Sequence, residues 1–458
     1  MTKDLSAIFK AYDVRGVYPD QLDDDIARAA GAAFVRVLDA GQRQKLTVVT
    51  AYDMRPHSRT LAEAFAAGAT SQGADVIEAG LGPTDLIYYA SGSLDLPGAV
   101  FTASHNPGRY GGIKLCRAGA APVGQDTGLK DIEALVAQGV PAYDGPQGTI
   151  SQRAMVGEYA DYLRTLVPLD GGRALKVVVD AGNGMGGMSV PEVLGPIASI
   201  SVDPLYFELD GTFPNHEANP IEPENLVDLQ KRVRETGADI GLAFDGDADR
   251  CFVVDEKGDI VSPSTLTGLV AVRELARDPG STIIHNLITS KSVPELVREH
   301  GGTPVRTRVG HSFIKAEMAR TGAVFGGEHS GHFYFRDFWR ADSGMLAALH
   351  VLAALGESEE PLSAVLAPYL RYHASGEINS TVDDAAARTA AVEAAFTGRA
   401  GVSTDHLDGL TVDAWDAEGW WFNLRPSNTE PLLRFNGEGR EVADMVRVRD
   451  EVLALVRG

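Results

Sequence analysis

Three times along the chain, a short apolar run ends in a turn containing Gly, Asp or Asn and leads into a helical pattern. Thr47–Ala51 runs into Tyr52–Ser58 and a helix from Arg59. Val177–Asp180 runs into Ala181–Gly187 and a helix near Val190. Ile283–Leu287 runs into Ile288–Ser292 and a helix starting at Pro294. Strand–turn–helix alternation of this kind calls for a parallel sheet with helices on its faces. The starts lie 130 and 106 residues apart (47 to 177, then 177 to 283), which suggests three α/β domains of similar design, although the segments share almost no sequence identity. A chain of 458 residues exceeds one ordinary core and should divide into several domains of roughly 100–150 residues each. The last ninety residues differ. Strand-like Glu377–Val382 precedes an Ala-rich helix, Asp383–Phe396. A hairpin joins Leu410–Trp415 to Gly419–Leu424, and a strand, Leu432–Asn436, precedes an amphipathic helix, Arg440–Arg457. That is an α+β module. Pro141–Gln152, rich in Pro and Gly, reads as the first linker.

Composition narrows the function. Hydrophobic residues make up 44% and charged residues 23%, the balance of a soluble globular protein. A formal net charge of -22 argues against a nucleic-acid binder, which needs a basic face, and against docking on an anionic membrane. A local Arg and Lys cluster can still hold a phosphorylated substrate. The two cysteines, Cys116 and Cys251, form neither a disulfide framework nor a zinc pattern and read as small buried hydrophobes. The opening MTKDLSAIFKAYD has no signal-peptide core. The longest apolar run, Met345 to Leu355, is about half a membrane span and is interrupted by His350. A cytoplasmic location is the expectation.

Four clusters carry chemical potential. Thr102-Ala103-Ser104-His105-Asn106-Pro107 follows the apolar Ala99–Phe101. Pro107 blocks ladder pairing and biases Asn106 to an extended form, so Ser104 sits on a loop where it can react; a plain Asx or Ser turn is the competing reading. Lys114, past the turn Gly108–Gly112, can reach back to the same place. Asp245-Gly246-Asp247-Ala248-Asp249-Arg250 follows the strand-like Ile240–Phe244. Three carboxylates at alternate positions repel one another unless a cation binds them, and hard oxygen ligands suit Mg²⁺ or Ca²⁺. A calcium loop is rejected, because Arg250 occupies the position that needs Gly and the flanks read as strands. In Gly326-Gly327-Glu328-His329-Ser330-Gly331-His332, the alternating Glu328, Ser330 and His332 offer a sugar both acceptors and donors. In Arg425-Pro426-Ser427-Asn428-Thr429-Glu430-Pro431, hydroxyls, backbone N–H groups and Arg425 make a phosphate cradle, to which Arg434 adds charge. Arg308-Val309-Gly310-His311 and the opening Phe9-Lys10-Ala11-Tyr12-Asp13-Val14-Arg15-Gly16 set cations beside glycine.

Together these motifs resemble the α-D-phosphohexomutase family. FKAYDVRG, TASHNP, DGDADR, GEHSGH and RPSNTEP occur in the family's order over more than four hundred residues, and FPNHEANPIEPENL, Phe213 to Leu226, is similar to the family's second domain. The resemblance implies an α/β protein of four domains around a central cleft. Three are similar mixed-sheet α/β domains, residues 1–150, 151–255 and 256–368, and the fourth is a C-terminal α+β domain, residues 369–458. It implies that Ser104 is a phosphoserine and that Asp245, Asp247 and Asp249 bind Mg²⁺ with the phosphoserine as a further ligand. Arg15, Lys114, His311 and Arg250 join Ser104 as the catalytic set. Tyr12, Arg308, Glu328, Ser330, His332, Arg425, Ser427, Asn428, Thr429 and Arg434 bind substrate.

The implied reaction runs through a hexose 1,6-bisphosphate, which also serves as activator. Phosphoserine gives its phosphoryl group to a hexose phosphate, the bisphosphate turns over, and its other phosphate returns to Ser104. Lys114 or His311 handles the hydroxyl proton. The loops most resemble those of members acting on mannose phosphates, with glucose phosphates as a second substrate. The alternatives are a phosphoglucosamine mutase, whose phosphate loop more often reads Ser-Gly-Thr, a magnesium-dependent sugar-phosphate hydrolase using Asp245 as nucleophile, and a non-enzymatic sugar-phosphate binder. Lys291 stands shifted from a lysine that some bacterial members carry after the third domain's first strand, and is left outside the catalytic set. A monomer or homodimer is expected, with a hexose phosphate as its partner.

Overall fold

A computed structural model describes residues 3–39, 45–169, 171–426 and 432–458. The chain divides into two compact units, Met1–Pro263 with Ser330–Val365, and Ser264–His329 with Leu366–Gly458.

The first unit contains two mixed sheets. In the first sheet the order is Val14–Val17, Tyr110–Arg117, Gly98–Phe101, Thr47–Tyr52, Asp75–Leu81, Ile150–Gln152. The last four strands run parallel, while Tyr110–Arg117 is antiparallel to both its neighbours. Thr47–Tyr52 leads into the helix Ser58–Ser71, as the apolar periodicity predicts. Phe34, Phe65 and Phe101 fill the core between this sheet and its helices. In the second sheet the order is Ile260–Val261, Cys251–Asp255, Ile240–Phe244, Leu175–Asp180, Ile200–Leu205. Ile240–Phe244 is parallel to Leu175–Asp180 and antiparallel to Cys251–Asp255, so the aspartate loop joins two adjacent strands inside the sheet. After Ser330 the chain bridges Arg250 to His332, forms the antiparallel pair Phe333–Phe335 with Ala341–Asp342, and enters the apolar helix Gly344–Gly356. Ser343 caps that helix by accepting from the Leu346 N–H.

The second unit carries three parallel strands, Thr303–Thr307, Thr282–Asn286 and Phe325–Gly327. It also carries an antiparallel sheet of His373–Thr381, Leu432–Gly439, Trp420–Pro426, Leu410–Asp413 and Ser403–Asp405. Helices Ala385–Phe396 and Val442–Arg457 cover that sheet, burying Phe396, Trp420, Phe422, Val448 and Val452. The expected hairpin is present, with a short helix, Trp415–Glu418, at its turn. No described helix is long and apolar enough to cross a membrane, and both cysteines are buried.

One expectation needs correction. The presumed linker Pro141–Gln152 ends in a true strand, Ile150–Gln152, which pairs with Asp75–Leu81. Asp75 holds it there by accepting from the backbone N–H and side-chain hydroxyl of Thr149. An exposed edge strand of three residues has no periodicity to betray it.

Helices Asp24–Asp39 and Ser58–Ser71 cross with their backbones in close approach. A methyl group at Gly68 would drive into the Arg28 carbonyl oxygen, and one at Gly31 into that of Phe65. Gly68→Ala should therefore lower the stability of this domain by about 1–3 kcal/mol. Urea denaturation followed by circular dichroism reads that change; an unaltered transition would show that the helices separate freely.

Candidate active site

Within the first unit, the serine loop and the aspartate loop come together. Ser104 follows the fully buried strand Gly98–Phe101 and has φ 50°, a left-handed conformation uncommon for a side chain of its kind. Thr102 Oγ1 steadies it by accepting from the Ser104 N–H at 2.9 Å. The turn aims the hydroxyl at the aspartates, and Ser104 Oγ donates to Asp245 Oδ2 at 2.8 Å. Across the loop, Gly246 packs so tightly against the Ser104 carbonyl that no side chain fits there. Ala248 is also left-handed, with φ 59°, and this turn gathers the three carboxylates so that one oxygen of each lies within 4.8 Å of the others.

All three aspartates are completely buried, and cations surround them. Arg250 Nε donates to Asp245 Oδ2 at 2.9 Å. Lys114, on the strand Tyr110–Arg117, donates to Asp247 Oδ2 at 2.8 Å and to Asp249 Oδ2 at 2.6 Å. Thr84 adds its hydroxyl to Asp247 Oδ2 at 2.6 Å and its N–H to the Asp247 carbonyl at 2.9 Å. Burial and the neighbouring Asp249 and Asp247 push Asp245 up to about 7, against the pull of Arg250. Burial also opposes ionisation of Asp247, but Lys114 overrides it and holds that carboxyl far below its usual range. Burial would lower Lys114, yet Asp247 and Asp249 keep it charged well above the ordinary lysine value.

The remaining oxygens reveal what the loop can hold. Asp247 Oδ1 and Asp249 Oδ1 are buried and have no hydrogen-bond partner among the described residues. Two bare carboxylate oxygens beside Asp245 form an all-oxygen donor set, which suits a hard divalent cation such as Mg²⁺.

Further groups frame the serine. Arg15 donates to Asn106 Oδ1 and to Asp13 Oδ2, each at 2.6 Å. His105 Nδ1 lies 3.2 Å from Ser104 Oγ. Burial, then Arg250 and Arg15, push His105 well below the usual histidine value, so it stays neutral. His332 reaches the cluster through the bridge to Arg250, with Nδ1 at 3.0 Å from Asp342 Oδ2 and 3.8 Å from Asp249 Oδ1. Tyr12 and Ser330 are half-buried in this unit.

The other expected residues belong to the second unit. Glu328 Oε1 accepts from the Gly310 N–H at 3.0 Å and from Asn286 Nδ2 at 3.3 Å. His311 opens the helix His311–Thr321, and the Arg308 guanidinium lies 4.7 Å from the Phe313 ring centroid. Arg425 and Arg434 are paired across adjacent strands and both donate to Glu377. Ser427, Asn428 and Thr429 lie outside the described residues. The alternating triplet is divided, with Glu328 in the second unit and Ser330 and His332 in the first. Lys291 pairs with Asp413 in the second unit. Thr84, Arg55 and Asp342 were not singled out from the sequence, and nothing in their local motifs marks them.

Comparison with known proteins identifies the family. Four sequence profiles of one family match in order: "Phosphoglucomutase/phosphomannomutase, alpha/beta/alpha domain I" over residues 6–141, domain II over 157–258, domain III over 263–372 and the C-terminal domain over 377–455. The chain belongs to the phosphoglucomutase/phosphomannomutase family, and it is an enzyme of the isomerase class, a phosphohexomutase. Among its relatives, "Phosphohexose mutases" of Xanthomonas campestris pv. campestris is 41% identical over 98% of this chain and 99% of its own length. A "Phosphomannomutase" of Escherichia coli is 39% identical, covering 98% and 99% respectively. A crystal structure of a phosphoglucomutase/phosphomannomutase family protein from Burkholderia thailandensis superposes with TM-score 0.89 at 32% identity, over 100% of this chain and 98% of that one.

The hydrogen bonds from Thr84 turn Asp247 so that Oδ1 stays bare. Thr84→Val should weaken Mg²⁺ binding by about 10–100-fold. Isothermal titration of Mg²⁺ into the enzyme reads this directly; unchanged affinity would mean that Lys114 alone sets the carboxylate.

Proposed function

We propose that this enzyme interconverts mannose 6-phosphate and mannose 1-phosphate through a phosphorylated Ser104 and a hexose 1,6-bisphosphate, with glucose phosphates as a second substrate pair. The observation that carries the proposal is the placement of Ser104 Oγ at 2.8 Å from Asp245 in a buried loop of three aspartates with Lys114 and Arg250. The names of the full-length relatives support the mannose assignment.

A phosphoryl group on Ser104 adds about −1.5 to −2 charge beside three carboxylates. Asp245, Asp247 and Asp249 would hold Mg²⁺, which supplies charge neutralisation to the transferring group when bound. Arg15, Arg250 and Lys114 contribute fixed positive charge around it, and fixed charge in a dry site stabilises developing charge more than water does. In the first half-reaction the Ser104 Oγ–phosphorus bond breaks and a bond forms from phosphorus to the sugar hydroxyl oxygen. The hydroxyl proton passes to a base, and an acid can protonate the departing Oγ. Asp247 and Asp249 keep Lys114 charged, which fits it for the acid's part and leaves the base's part to His311. The second half-reaction reverses these roles at the other phosphate. Glu328, Ser330 and His332 bind the sugar hydroxyls in this reading. Arg425, Ser427, Asn428 and Thr429, with Arg434, grip whichever phosphate is not reacting, and Tyr12 and Arg308 also bind substrate. A trace of hexose 1,6-bisphosphate keeps Ser104 loaded, and the enzyme works in the cytoplasm.

The test is a pair of ³¹P NMR time courses with Mg²⁺ and trace hexose 1,6-bisphosphate, one from mannose 1-phosphate and one from glucose 1-phosphate. Both 6-phosphates should form, mannose faster, and Ser104→Ala should slow each by on the order of 10⁴-fold or more. Release of inorganic phosphate undiminished by Ser104→Ala would instead establish a hydrolase using Asp245.

A further inference from the structure

We infer that Arg55 is the positioning residue of the serine loop, holding Ser104 at the aspartates through the loop's own backbone. The inference rests on the phosphoserine reading and deepens it.

The Arg55 side chain has no solvent exposure, and its guanidinium faces the loop's carbonyl oxygens. Nη2 donates to the carbonyls of Ser104 at 2.7 Å and Asn106 at 2.6 Å. Nη1 donates to those of Pro107 at 2.9 Å and Tyr110 at 3.2 Å. Nε donates to Asp53 Oδ2 at 3.2 Å. A guanidinium has five N–H donors in a rigid plane, and here each has an acceptor. Asp53 is anchored in turn, since its Oδ1 accepts from the Arg55 N–H at 3.0 Å and from Ser58 Oγ at 2.5 Å. The Phe213 ring lies 5.1 Å from the guanidinium carbon and also flanks Gly246 of the aspartate loop.

These contacts answer a problem the loop sets for itself. Pro107 lacks an N–H and the left-handed Ser104 leaves the strand geometry, so no backbone donor satisfies the carbonyls of Ser104 and Asn106, whereas that of Pro107 also accepts from the Tyr110 N–H at 2.9 Å. Buried carbonyls without donors are costly. One planar cation supplies both, and in doing so fixes the direction in which Ser104 Oγ points. The Tyr110 carbonyl ties the same cation to the strand that carries Lys114. Arg55 touches neither the reacting oxygen nor the aspartates that surround it. A lysine would keep the charge but not the fork.

The experiment uses full-length Arg55→Lys and Asp53→Asn enzymes. Three quantities are read: kcat and KM with mannose 1-phosphate, the thermal transition, and hydrogen exchange of the Ser104, Asn106 and Tyr110 amides. Misplacing a reacting atom by about 1 Å costs roughly 100-fold in rate, so Arg55→Lys should lower kcat by about that factor with KM little changed. The three loop amides should exchange faster while those of the strand Leu175–Asp180 stay protected. Asp53→Asn, which keeps the side-chain shape, should move kcat and the loop amides in the same direction by less. Wild-type kcat and loop protection in both variants would overturn the inference. So would a kcat loss in both that only tracks general loss of protection, because Arg55 would then be a core residue and nothing more. If the wild-type enzyme itself fails to turn over either sugar phosphate, the functional reading fails, and the exchange data still decide the role of Arg55.

Discussion

Three carboxylates packed without solvent beside one serine hydroxyl are the constraint to which the first unit is built. Such charges repel strongly where water cannot screen them. The protein answers with Lys114 on Asp247 and Asp249 and Arg250 on Asp245. The compensation is incomplete by design, leaving Asp247 Oδ1 and Asp249 Oδ1 bare. A site with this deficit suits a divalent cation. Geometry and electrostatics therefore serve one purpose, and the same bonds that stabilise the loop orient it for ligand.

Backbone form matters as much as charge. Ser104 and Ala248 both adopt left-handed conformations, each costing of order 1 kcal/mol or more, and such strain persists only where the surroundings over-determine it. Gly246 permits the close approach of the two loops, and Arg55 supplies the donors that the strained serine loop lacks. The fold contributes stiff strands on either side. Gly98–Phe101 leads directly into the serine loop, and Ile240–Phe244 and Cys251–Asp255 bracket the aspartates.

Much of this was legible in the sequence because the chemistry is written in contiguous stretches. Asp245, Asp247 and Asp249 stand at alternate positions after an apolar strand, and Ser104 lies between a strand and a proline, so both loops announced themselves. Lys114 was legible as the residue of the returning strand able to reach back. Thr84 was not, since it meets Asp247 across 163 positions of chain and threonine after a Gly-Pro pair is an ordinary helix start. Arg55 was hidden for the same reason, because its acceptors are backbone carbonyls, which carry no sequence signature. The two left-handed positions fall on Ser and Ala where glycine would have signalled the turn. The edge strand Ile150–Gln152 depends on its partner Asp75–Leu81 for its conformation, and pairing across seventy residues is invisible to local patterning.

The central claim is that Ser104 carries the phosphoryl group between the two sugar positions. Brief incubation with hexose 1,6-bisphosphate labelled at its phosphates, followed by quenching and mass-spectrometric mapping of the labelled peptide, tests it most directly. The account predicts label on Ser104, stable to hydroxylamine and lost when hexose monophosphate is added. Label on Asp245, released by hydroxylamine as an acyl phosphate would be, or no protein-bound label during full turnover, would contradict it.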